Sequence, residues 1–266
     1  MRKEIIILGS GTFKPELKRH CSGYLVKIGD ENLLFDFGRG VLDNIMKTKT
    51  KYYDINKIFI THAHSDHCSE LIPFIGVFIS LFWTNFPYPE DKKLKNQKII
   101  IYGPRGIKKA IFHFLKALAW DESKYIDNLI IRELSNGTIV KGKNWKVKCF
   151  TAEHSKRIRS FAYRIESENK ILAYCGDGIY SKGMLDACRD ADIAILEATL
   201  PLHLRPRKQG HLSASDTGKI ARKANVKKLI LTHISPEALK LNPKKEAEKY
   251  YKKPVIIAKD LLKIKF

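Results

Sequence analysis

Three histidines and one aspartate within six residues form the part of this sequence best suited to chemistry. The run directly follows a predicted strand, Lys57–Thr61. In an extended segment, residues two apart project to the same side, so His62 and His64 can offer two imidazoles to one metal ion. Asp66 and His67 follow on the turn into a predicted helix. They can reach a second ion, because the ions of a two-metal site lie about 3.5–4 Å apart.

One segment cannot complete two coordination spheres, so further ligands are expected at the ends of other strands. Three candidates are present: His154 after the predicted strand Lys146–Thr151, Asp177 after Lys170–Tyr174, and His233 after Lys228–Thr232. Gly176 and Gly178 flank Asp177 and let the backbone approach the ions closely.

The elements that must position these residues are mostly short strands. Besides the four named above, the pattern predicts strands over Glu4–Leu8, Gly23–Ile28, Asn32–Asp36, Lys98–Tyr102, Phe161–Glu166, Ile193–Glu197 and Val255–Ala258. Helices are predicted over Arg105–Trp120, Ser213–Ala224 and Pro243–Lys252, with an apolar helix over Leu71–Trp83. The second half of the chain repeats the outline of the first. This order predicts an α/β fold with two mixed sheets face to face and helices outside, in one domain over residues 1–266.

The order of the candidate ligands resembles the metallo-β-lactamase superfamily over nearly the whole chain. The resemblance rests on His62-Ala63-His64-Ser65-Asp66-His67 followed by His154, Asp177 and His233. It implies a four-layer αβ/βα sandwich with two divalent metal ions at one edge of the sheets. It also implies that one ion takes His62, His64 and His154, that the second takes Asp66, His67 and His233, and that Asp177 bridges them. Zinc is the expected metal, followed by manganese and then iron, because imidazole and carboxylate ligands suit all three.

Further motifs resemble ribonuclease Z and its phosphodiesterase relatives. They are Glu197-Ala198-Thr199, Gly210-His211-Leu212-Ser213, Tyr102-Gly103-Pro104-Arg105-Gly106, Leu231-Thr232-His233-Ile234-Ser235-Pro236 and Val255-Ile256-Ile257-Ala258-Lys259-Asp260. The resemblance implies that His211 meets the scissile phosphate and protonates the leaving oxygen, and that Glu197 orients His211. An imidazole held by a carboxylate can supply such a proton near neutral pH. Asp66 is expected to orient the attacking water.

The region after His154 departs from ribonuclease Z. That family usually carries a long tRNA-binding arm there, whereas 22 residues separate His154 from Asp177 here. Glu237-Ala238 replaces the usual Arg-Tyr, and Gly178 replaces the threonine of Gly-Asp-Thr. The substrate is therefore either RNA, including a tRNA precursor bound by exposed lysines elsewhere, or a smaller phosphodiester such as a cyclic nucleotide.

Two other functions remain open at this point. A thioester or lactone hydrolase would use the same metals, although such enzymes do not ordinarily carry the pair of Glu197 and His211. A nucleic-acid-binding module with structural metals would need closed coordination spheres, and seven ligands for two ions leave positions open.

The charge of the chain favours an anionic partner. Lysine and arginine total 49 against 28 acidic residues, which gives a formal charge of +21. Such a field attracts nucleic acid or a phosphorylated small molecule. A thermophile-like composition rich in lysine and isoleucine would explain the charge equally well. Arg205, Arg207 and Lys208, in the loop before His211, are predicted to clamp substrate phosphates, with an ordinary solvated loop as the alternative.

Cysteine usage and apolar runs limit where the protein acts. Five scattered cysteines without a Cys-x-x-Cys pair argue against a disulfide framework, and the apolar start lacks a cleavage site, which predicts a cytoplasmic protein. The longest apolar run, Leu71–Trp83, has 13 residues and contains Pro73, which is too short to span a bilayer. It is predicted to pack either a homodimer or the core of one chain.

The remaining candidate residues receive smaller roles. His113 is predicted to pack or lie at the surface of its helix, whereas His20 and His203 could line the pocket. Asp36 is predicted to lie below the metal site at a strand end. Ser213 is predicted to cap the helix that starts there.

Overall fold

Two mixed β-sheets of seven strands each form the centre of the fold. The computed structural model describes residues 3–80, 97–121, 124–155, 158–201 and 210–266. The first sheet contains β1 (Lys3–Gly9), β2 (Gly23–Ile28), β3 (Glu31–Phe35), β4 (Lys57–Phe59), β5 (Ile99–Pro104), β6 (Leu129–Leu134) and β14 (Lys263–Lys265). The second contains β7 (Ile139–Lys141), β8 (Lys146–Ala152), β9 (Ser160–Ser167), β10 (Lys170–Cys175), β11 (Ile193–Glu197), β12 (Lys228–Thr232) and β13 (Val255–Ile257).

The helices of the described residues connect and cover the strands. They are α1 (Val41–Met46), α2 (Ser65–Cys68), α3 (Leu71–Ser80), α4 (Ile107–Ala117), α5 (Lys182–Cys188), α6 (Ala214–Lys223), α7 (Pro236–Lys240) and α8 (Pro243–Tyr251). Two short 3₁₀ helices span Tyr52–Asp54 and Lys124–Asn128.

The two sheets share one topology. The strand orders are β14-β1-β2-β3-β4-β5-β6 and β13-β12-β11-β10-β9-β8-β7. In each sheet, three neighbouring pairs are antiparallel and three are parallel. The parallel pairs run through β3 to β6 in the first sheet and through β10 to β13 in the second. The predicted repetition of the outline of the first half is thereby confirmed.

Apolar residues on both faces of the strands explain the layering. In β1, Ile5 and Ile7 belong to the cluster between the sheets, whereas Ile6 and Leu8 belong to the cluster on the outer face. Because successive side chains point to opposite faces, a strand that is apolar throughout must be covered on both sides. On the outer faces, α1, α3 and α4 cover the first sheet, and α5, α6 and α8 cover the second. The predicted four-layer sandwich is therefore confirmed.

The structure confirms the eleven predicted strands, with ends that differ by at most two residues. The three strands that the pattern missed are Leu129–Leu134, Ile139–Lys141 and Lys263–Lys265, and each lies at the edge of a sheet. Ile139–Lys141 and Lys263–Lys265 have only three residues each, and Leu129–Leu134 is interrupted by the charged pair Arg132 and Glu133, so none shows a sustained strand pattern. The missed helices α1, α5 and α7 have five to seven residues, too few to show a helical period.

The predicted helices are also present. Ser213 caps α6: its hydroxyl accepts from the Asp216 backbone N–H at 3.3 Å, and the Asp216 side chain accepts from the Ser213 backbone N–H at 3.4 Å. The apolar segment predicted over Leu71–Trp83 forms α3 up to Ser80, and its last three residues lie outside the described ranges. Among the described residues, no helix is long and apolar enough to cross a lipid bilayer.

The strand ends place polar residues at one edge of the sandwich. Asp36 directly follows β3, and His62 follows β4 after a two-residue connection. In the second sheet, Glu197 is the last residue of β11 and His233 directly follows β12. Because the carboxyl ends of parallel strands lie at one edge of a sheet, this topology gathers residues that are far apart in sequence.

We expect Phe59→Ala to destabilise the fold by about 3–5 kcal/mol, because it leaves a cavity in a close-packed layer. The Phe59 ring is fully buried and stacks on Phe35 at 4.9 Å and on Tyr102 at 4.6 Å between ring centroids. Urea unfolding measures the change in free energy. Phe114→Ala is the matched control, since that ring is 61% exposed and its loss should cost less than about 0.5 kcal/mol. Equal losses in the two variants would contradict the packing described here.

Candidate metal centre

Three imidazole nitrogens converge where the loop after β4 meets the loop after β8. His62 Nε2 lies 3.0 Å from His64 Nδ1, and His154 Nε2 lies 3.2 Å from the same atom. His62 is buried, and the other two are half-buried. Neutral imidazoles offer only one N–H each, so three ring nitrogens aimed at one point are suited to a shared cation. The structure thus brings together His62, His64 and His154.

A second cluster lies beside the first and is more deeply buried. It contains Asp66, His67, Asp177 and His233, whose ligand atoms lie within 4.8 Å of one another. His233 Nε2 is 3.1 Å from Asp66 Oδ2, and His67 Nε2 is 3.8 Å from that oxygen. Two carboxylates and two imidazoles form a donor set typical of divalent metal ions in proteins.

Asp177 faces both clusters. Its Oδ1 lies 3.4 Å from His67 Nε2, and its Oδ2 lies 3.5 Å from His233 Nε2. The same Oδ2 is 4.0 Å from His62 Nε2. One carboxylate therefore lies within reach of both groups of imidazoles.

Asp36 orients two of the imidazoles from below. Its Oδ2 accepts a hydrogen bond from His67 Nδ1 at 2.7 Å. Thr61 Oγ1 donates to Asp36 Oδ2 at 2.8 Å and lies 3.0 Å from His62 Nδ1. The Tyr174 hydroxyl donates to the same Asp36 oxygen. With Nδ1 engaged, both rings present Nε2 to the cluster, which is the arrangement by which proteins orient histidine ligands.

His154 and His233 are held in the same way from other elements. His154 Nδ1 donates to the backbone carbonyl of Gly210 at 2.7 Å. Thr199 Oγ1 lies 2.8 Å from His233 Nδ1 and donates to the Glu197 carboxylate. Thr199 thereby links a candidate ligand to the carboxylate beside His211.

His233 itself adopts a left-handed backbone conformation, with φ +47°. Its backbone N–H donates to the carbonyl of Ser10 at 3.0 Å. Ser10 is held in turn by Asp260, whose Oδ1 accepts from the Ser10 hydroxyl at 2.8 Å and from its backbone N–H at 3.0 Å. A left-handed conformation is unfavourable for a non-glycine residue, so these contacts stabilise a backbone that the sequence alone would not adopt.

Burial and mutual charge shift the pKa values of the clustered groups. Burial, reinforced by the neighbouring His67, holds the pKa of His62 well below its usual range. Burial alone would raise the pKa of Asp177, but His233 and His67 hold it well below its usual range. Burial alone would lower the pKa of His67, but Asp177 and Asp36 raise it well above that range. A site that favours a protonated imidazole between two carboxylates also favours a metal cation there.

The atom that best tests the fit of a metal is His67 Nε2. It is buried and has no hydrogen-bond partner, although Nδ1 of the same ring is bound by Asp36. A buried polar atom without a partner is costly in a folded protein, and a metal ion would satisfy it. The residues present therefore fit divalent metal binding.

His211 lies over both clusters and pairs with Glu197. His211 Nδ1 is 3.1 Å from Glu197 Oε2 and 3.5 Å from Asp177 Oδ2. Burial lowers the pKa of His211, but Glu197 and Asp177 outweigh it and raise that pKa to about 9. The imidazole therefore carries a proton at neutral pH. Asp177, Glu197, His211 and His233 also lie close enough to hold one ion, so a test of His211 must separate ligation from proton donation.

An apolar cavity of about 380 Å³ lies beside the loop that carries His62 and His64, and none of the candidate ligands lines it. Ala63 and Ser65, which alternate with the histidines and Asp66 in sequence, form one wall. Ile72, Ile111 and Phe114 contribute to the other walls.

Other predicted residues either fall outside the described ranges or are not part of the two clusters. Arg205, Arg207, Lys208 and His203 fall outside the described residues. His113 is exposed on α4. His20 is bound by Asp260, at 2.7 Å between Nδ1 and Oδ2.

Sequence reasoning missed Ser10 and Asp260 as supports of His233, and Thr199 as its hydrogen-bond partner. Thr199 and Asp260 lie inside two of the motifs that resemble ribonuclease Z, Glu197-Ala198-Thr199 and Val255–Asp260. Membership of these motifs was the sequence feature that could have indicated a role at the site. Their partners are up to 250 residues away in sequence, so their roles emerge only from the fold.

Known proteins with similar sequences belong to the family of metal-dependent hydrolases that the geometry suggests. A family model described as a β-lactamase superfamily domain matches residues 31–234. A protein of Archaeoglobus fulgidus named Ribonuclease Z is 28% identical over 98% of this chain and 97% of its own. A protein of Methanosarcina mazei with the same name is 26% identical over 98% and 97%.

Solved structures share the architecture. The metallo-β-lactamase fold protein YhfI from Bacillus subtilis superimposes with a TM-score of 0.82 at 22% identity, covering 99% of both chains. The short form of human tRNase Z superimposes with a TM-score of 0.74 at 25% identity, covering 98% of both chains. The first likeness, at its low identity, concerns the fold alone.

We expect Asp36→Asn to weaken zinc binding by about 10–100-fold, because the amide loses the negative charge that orients His67 and strengthens its basicity. Asparagine tolerates the left-handed backbone of this position, where φ is +56°, so the loop geometry should survive. Chelator competition on the metal-free chain measures the affinity. Asp43→Asn on the exposed face of α1 is the control and should bind zinc like the unmodified chain. Unchanged affinity in Asp36→Asn would show that Asp36 does not support the centre.

Proposed function

The chain belongs to the β-lactamase superfamily, and from this premise we propose that it is a two-metal phosphodiesterase of the ribonuclease Z type that cleaves RNA. The observation that carries the proposal is the pairing of His211 with Glu197 beside the two clusters, at 3.1 Å. When a phosphodiester is cleaved, its leaving group departs as an alkoxide that needs a proton, and the pair of His211 and Glu197 can supply that proton. We further propose that residues 1–266 act as one catalytic domain.

In this proposal, His62, His64 and His154 hold one divalent ion, and Asp66, His67 and His233 hold the second, with Asp177 between them. Bound ions would supply activation of the attacking water and neutralisation of charge on the phosphate. Zinc is the first candidate, ahead of manganese and iron, because the donor set mixes imidazoles with carboxylates.

Asp66 and His211 handle protons on opposite sides of the reaction. Burial would raise the pKa of Asp66, but the hydrogen bond from His233 and the nearby His67 lower it. Asp66 therefore stays ionised and can accept a hydrogen bond from the attacking water. Glu197 raises the pKa of His211, so the imidazole can hold a proton and give it to the leaving oxygen. Glu197 positions the imidazole for that transfer.

RNA is the favoured substrate. Two relatives named Ribonuclease Z match the chain over nearly its whole length, and the formal charge of +21 favours a polyanion. Arg205, Arg207 and Lys208 remain our candidates for contacts to flanking phosphates. A smaller phosphodiester is the second candidate, because 22 residues between His154 and Asp177 leave no room for a long RNA-binding arm.

The setting of the enzyme is also part of the proposal. All five cysteines are free, which suits a reducing cytoplasm. We also propose a homodimer through α3, which light scattering of the full chain would test by measuring the molecular mass in solution. Five residues of this helix, Leu71, Phe74, Ile75, Phe78 and Ile79, are buried in the chain's own core, so the partner would contact the remaining face.

Parallel incubation with three substrates tests the function. Metal-loaded protein receives a 3′-extended tRNA precursor, a short linear RNA and a cyclic nucleotide, and the broken bonds are mapped. We expect a discrete cut in the precursor that chelator abolishes. Hydrolysis confined to the cyclic nucleotide would assign the second candidate. Preference for a glutathione thioester over every phosphodiester would overturn the proposal.

We expect His211→Ala to lower kcat on RNA by about 10²–10⁴-fold, the usual contribution of a general acid, while metal content stays at the wild-type level. The loss on bis-p-nitrophenyl phosphate should be much smaller, because nitrophenolate leaves without a proton. Turnover of both substrates and metal analysis provide the measurements. Loss of metal from the variant would instead identify His211 as a ligand.

The pH profile of kcat in Glu197→Gln tests whether Glu197 acts through His211. Because the Glu197 carboxylate raises the pKa of His211, its removal lowers that pKa. The protonated imidazole is lost as pH rises through its pKa, so the alkaline fall in kcat should begin at a lower pH in Glu197→Gln. An unshifted alkaline limb would show that Glu197 does not act through His211.

A further inference from the structure

A concentrated basic surface lies on the outer side of the second sheet, where α6 and α8 pack together. It is named here the α6–α8 basic surface, and it consists of Lys219, Arg222, Lys223, Lys249 and Lys252 around the ring of Tyr250. The five cationic residues are all exposed, and the six residues line a shallow cavity of about 620 Å³.

A glycine brings the two helices close enough to gather these charges. A Cβ at Gly218 of α6 would lie 2.5 Å from the backbone carbonyl of Ala247 in α8, so only glycine allows this approach. The consequence at the surface is that cations of both helices meet around one ring. Lys219 Nζ lies 4.8 Å from the centroid of Tyr250, and Lys249 Nζ lies 5.6 Å from it.

Most of this charge is not neutralised within the chain. Among the described residues, only Lys219 of the five has a carboxylate within salt-bridge distance, Asp216 at 3.6 Å. Cations in the last turn of a helix are favoured by its dipole, which accounts for Arg222 and Lys223. The dipole does not account for Lys219 in the middle of α6, four residues from Lys223, where like charges repel. The surface is therefore suited to an anionic partner.

An exposed aromatic residue connects this surface with the candidate metal centre. Tyr180 is 39% exposed and follows Asp177 by three residues. Its ring lies 5.9 Å from Lys223 Nζ. From the other side, α6 itself begins three residues after His211 and extends about 15 Å, at about 1.5 Å per residue. Tyr180 and the start of α6 therefore place the α6–α8 basic surface a short stretch of chain away from Asp177 and His211.

We propose that the α6–α8 basic surface, together with Tyr180, binds the RNA strand that continues away from the scissile phosphodiester. This inference rests on the proposed function. The cations contact successive phosphates, and the two tyrosine rings offer faces on which unpaired bases stack. Alternating cations and aromatic rings match RNA better than a lipid surface, which presents anionic charge without bases.

The test measures RNA binding separately from catalysis. The full-length chain, stripped of metal with EDTA, is titrated into a fluorescein-labelled RNA hairpin with a single-stranded tail, and anisotropy gives Kd at several KCl concentrations. We expect Arg222→Glu/Lys223→Glu/Lys249→Glu to weaken binding at least 10-fold. The slope of log Kd against log salt should fall by about two to three, because each lost phosphate contact removes about 0.7–0.9.

The matched control carries the same change of charge at exposed lysines away from this surface, Lys141 and Lys265 on edge strands and Lys143 in the turn after β7. Lys141→Glu/Lys143→Glu/Lys265→Glu should change Kd less than about twofold, and circular dichroism establishes that both triple variants are folded. Equal weakening in the two variants would show that net charge alone binds RNA, which overturns the proposal. Retained RNA binding with lost binding to phosphatidylglycerol vesicles would assign the surface to membranes and also overturn it.

Neutral variants separate stacking from charge. Tyr180→Leu/Tyr250→Leu should weaken binding of the single-stranded tail severalfold while the salt slope stays unchanged, since no charge is lost. An unaltered Kd would show that Tyr180 and Tyr250 do not contact the RNA. If the unmodified chain binds RNA through this surface but cleaves none, the proposed function fails and only the assignment of an RNA-binding surface stands. If the unmodified chain cleaves RNA but the charge-reversed variant binds RNA normally, the proposed function stands and this inference fails.

Discussion

The balance of buried charge at one edge of the sandwich is the constraint on which the rest of the site depends. Asp36, Asp66, Asp177 and Glu197 are all buried, and each contacts at least one imidazole. Buried carboxylates are tolerated only when cations or hydrogen bonds compensate them. The fold therefore needs the histidines at this edge as much as the chemistry does. A pair of divalent ions would complete that compensation at His67 Nε2, a buried ring nitrogen that lies 3.4 Å from Asp177 Oδ1 without a hydrogen bond.

The supports of the site come from elements that do not themselves carry ligands. Asp36, at the end of β3, holds His67 directly and His62 through Thr61. Asp260, after β13, fixes Ser10, whose carbonyl receives the backbone N–H of His233. Asp36 and His233 both have positive φ. Strained backbone of this kind persists only where surrounding contacts determine it, which indicates that the loops are preorganised rather than shaped on binding.

The distribution of charge separates two tasks. At the centre, carboxylates attract cations and keep His211 protonated, whereas the α6–α8 basic surface presents exposed cations, of which only Lys219 has a carboxylate of the described residues within salt-bridge distance. A polyanion steered by that field would meet the outer cations first and the metal centre with one phosphate only. The protein could then bind a long polyanion at several phosphates through the outer cations and react with it at one bond in the metal centre.

The sequence by itself determined the layered fold, most of its strands, and the seven residues that the structure gathers at one edge. It could do so because apolar alternation is a local signal and because His62 to His67 lie together in the chain. It did not reveal three of the four edge strands, two of which have only three residues, or the parts played by Ser10, Thr199 and Asp260. Those parts rest on hydrogen bonds between residues as many as 250 positions apart. Only the tertiary structure decides such contacts, because two polar groups become partners when the packing of the sheets brings them within about 3 Å.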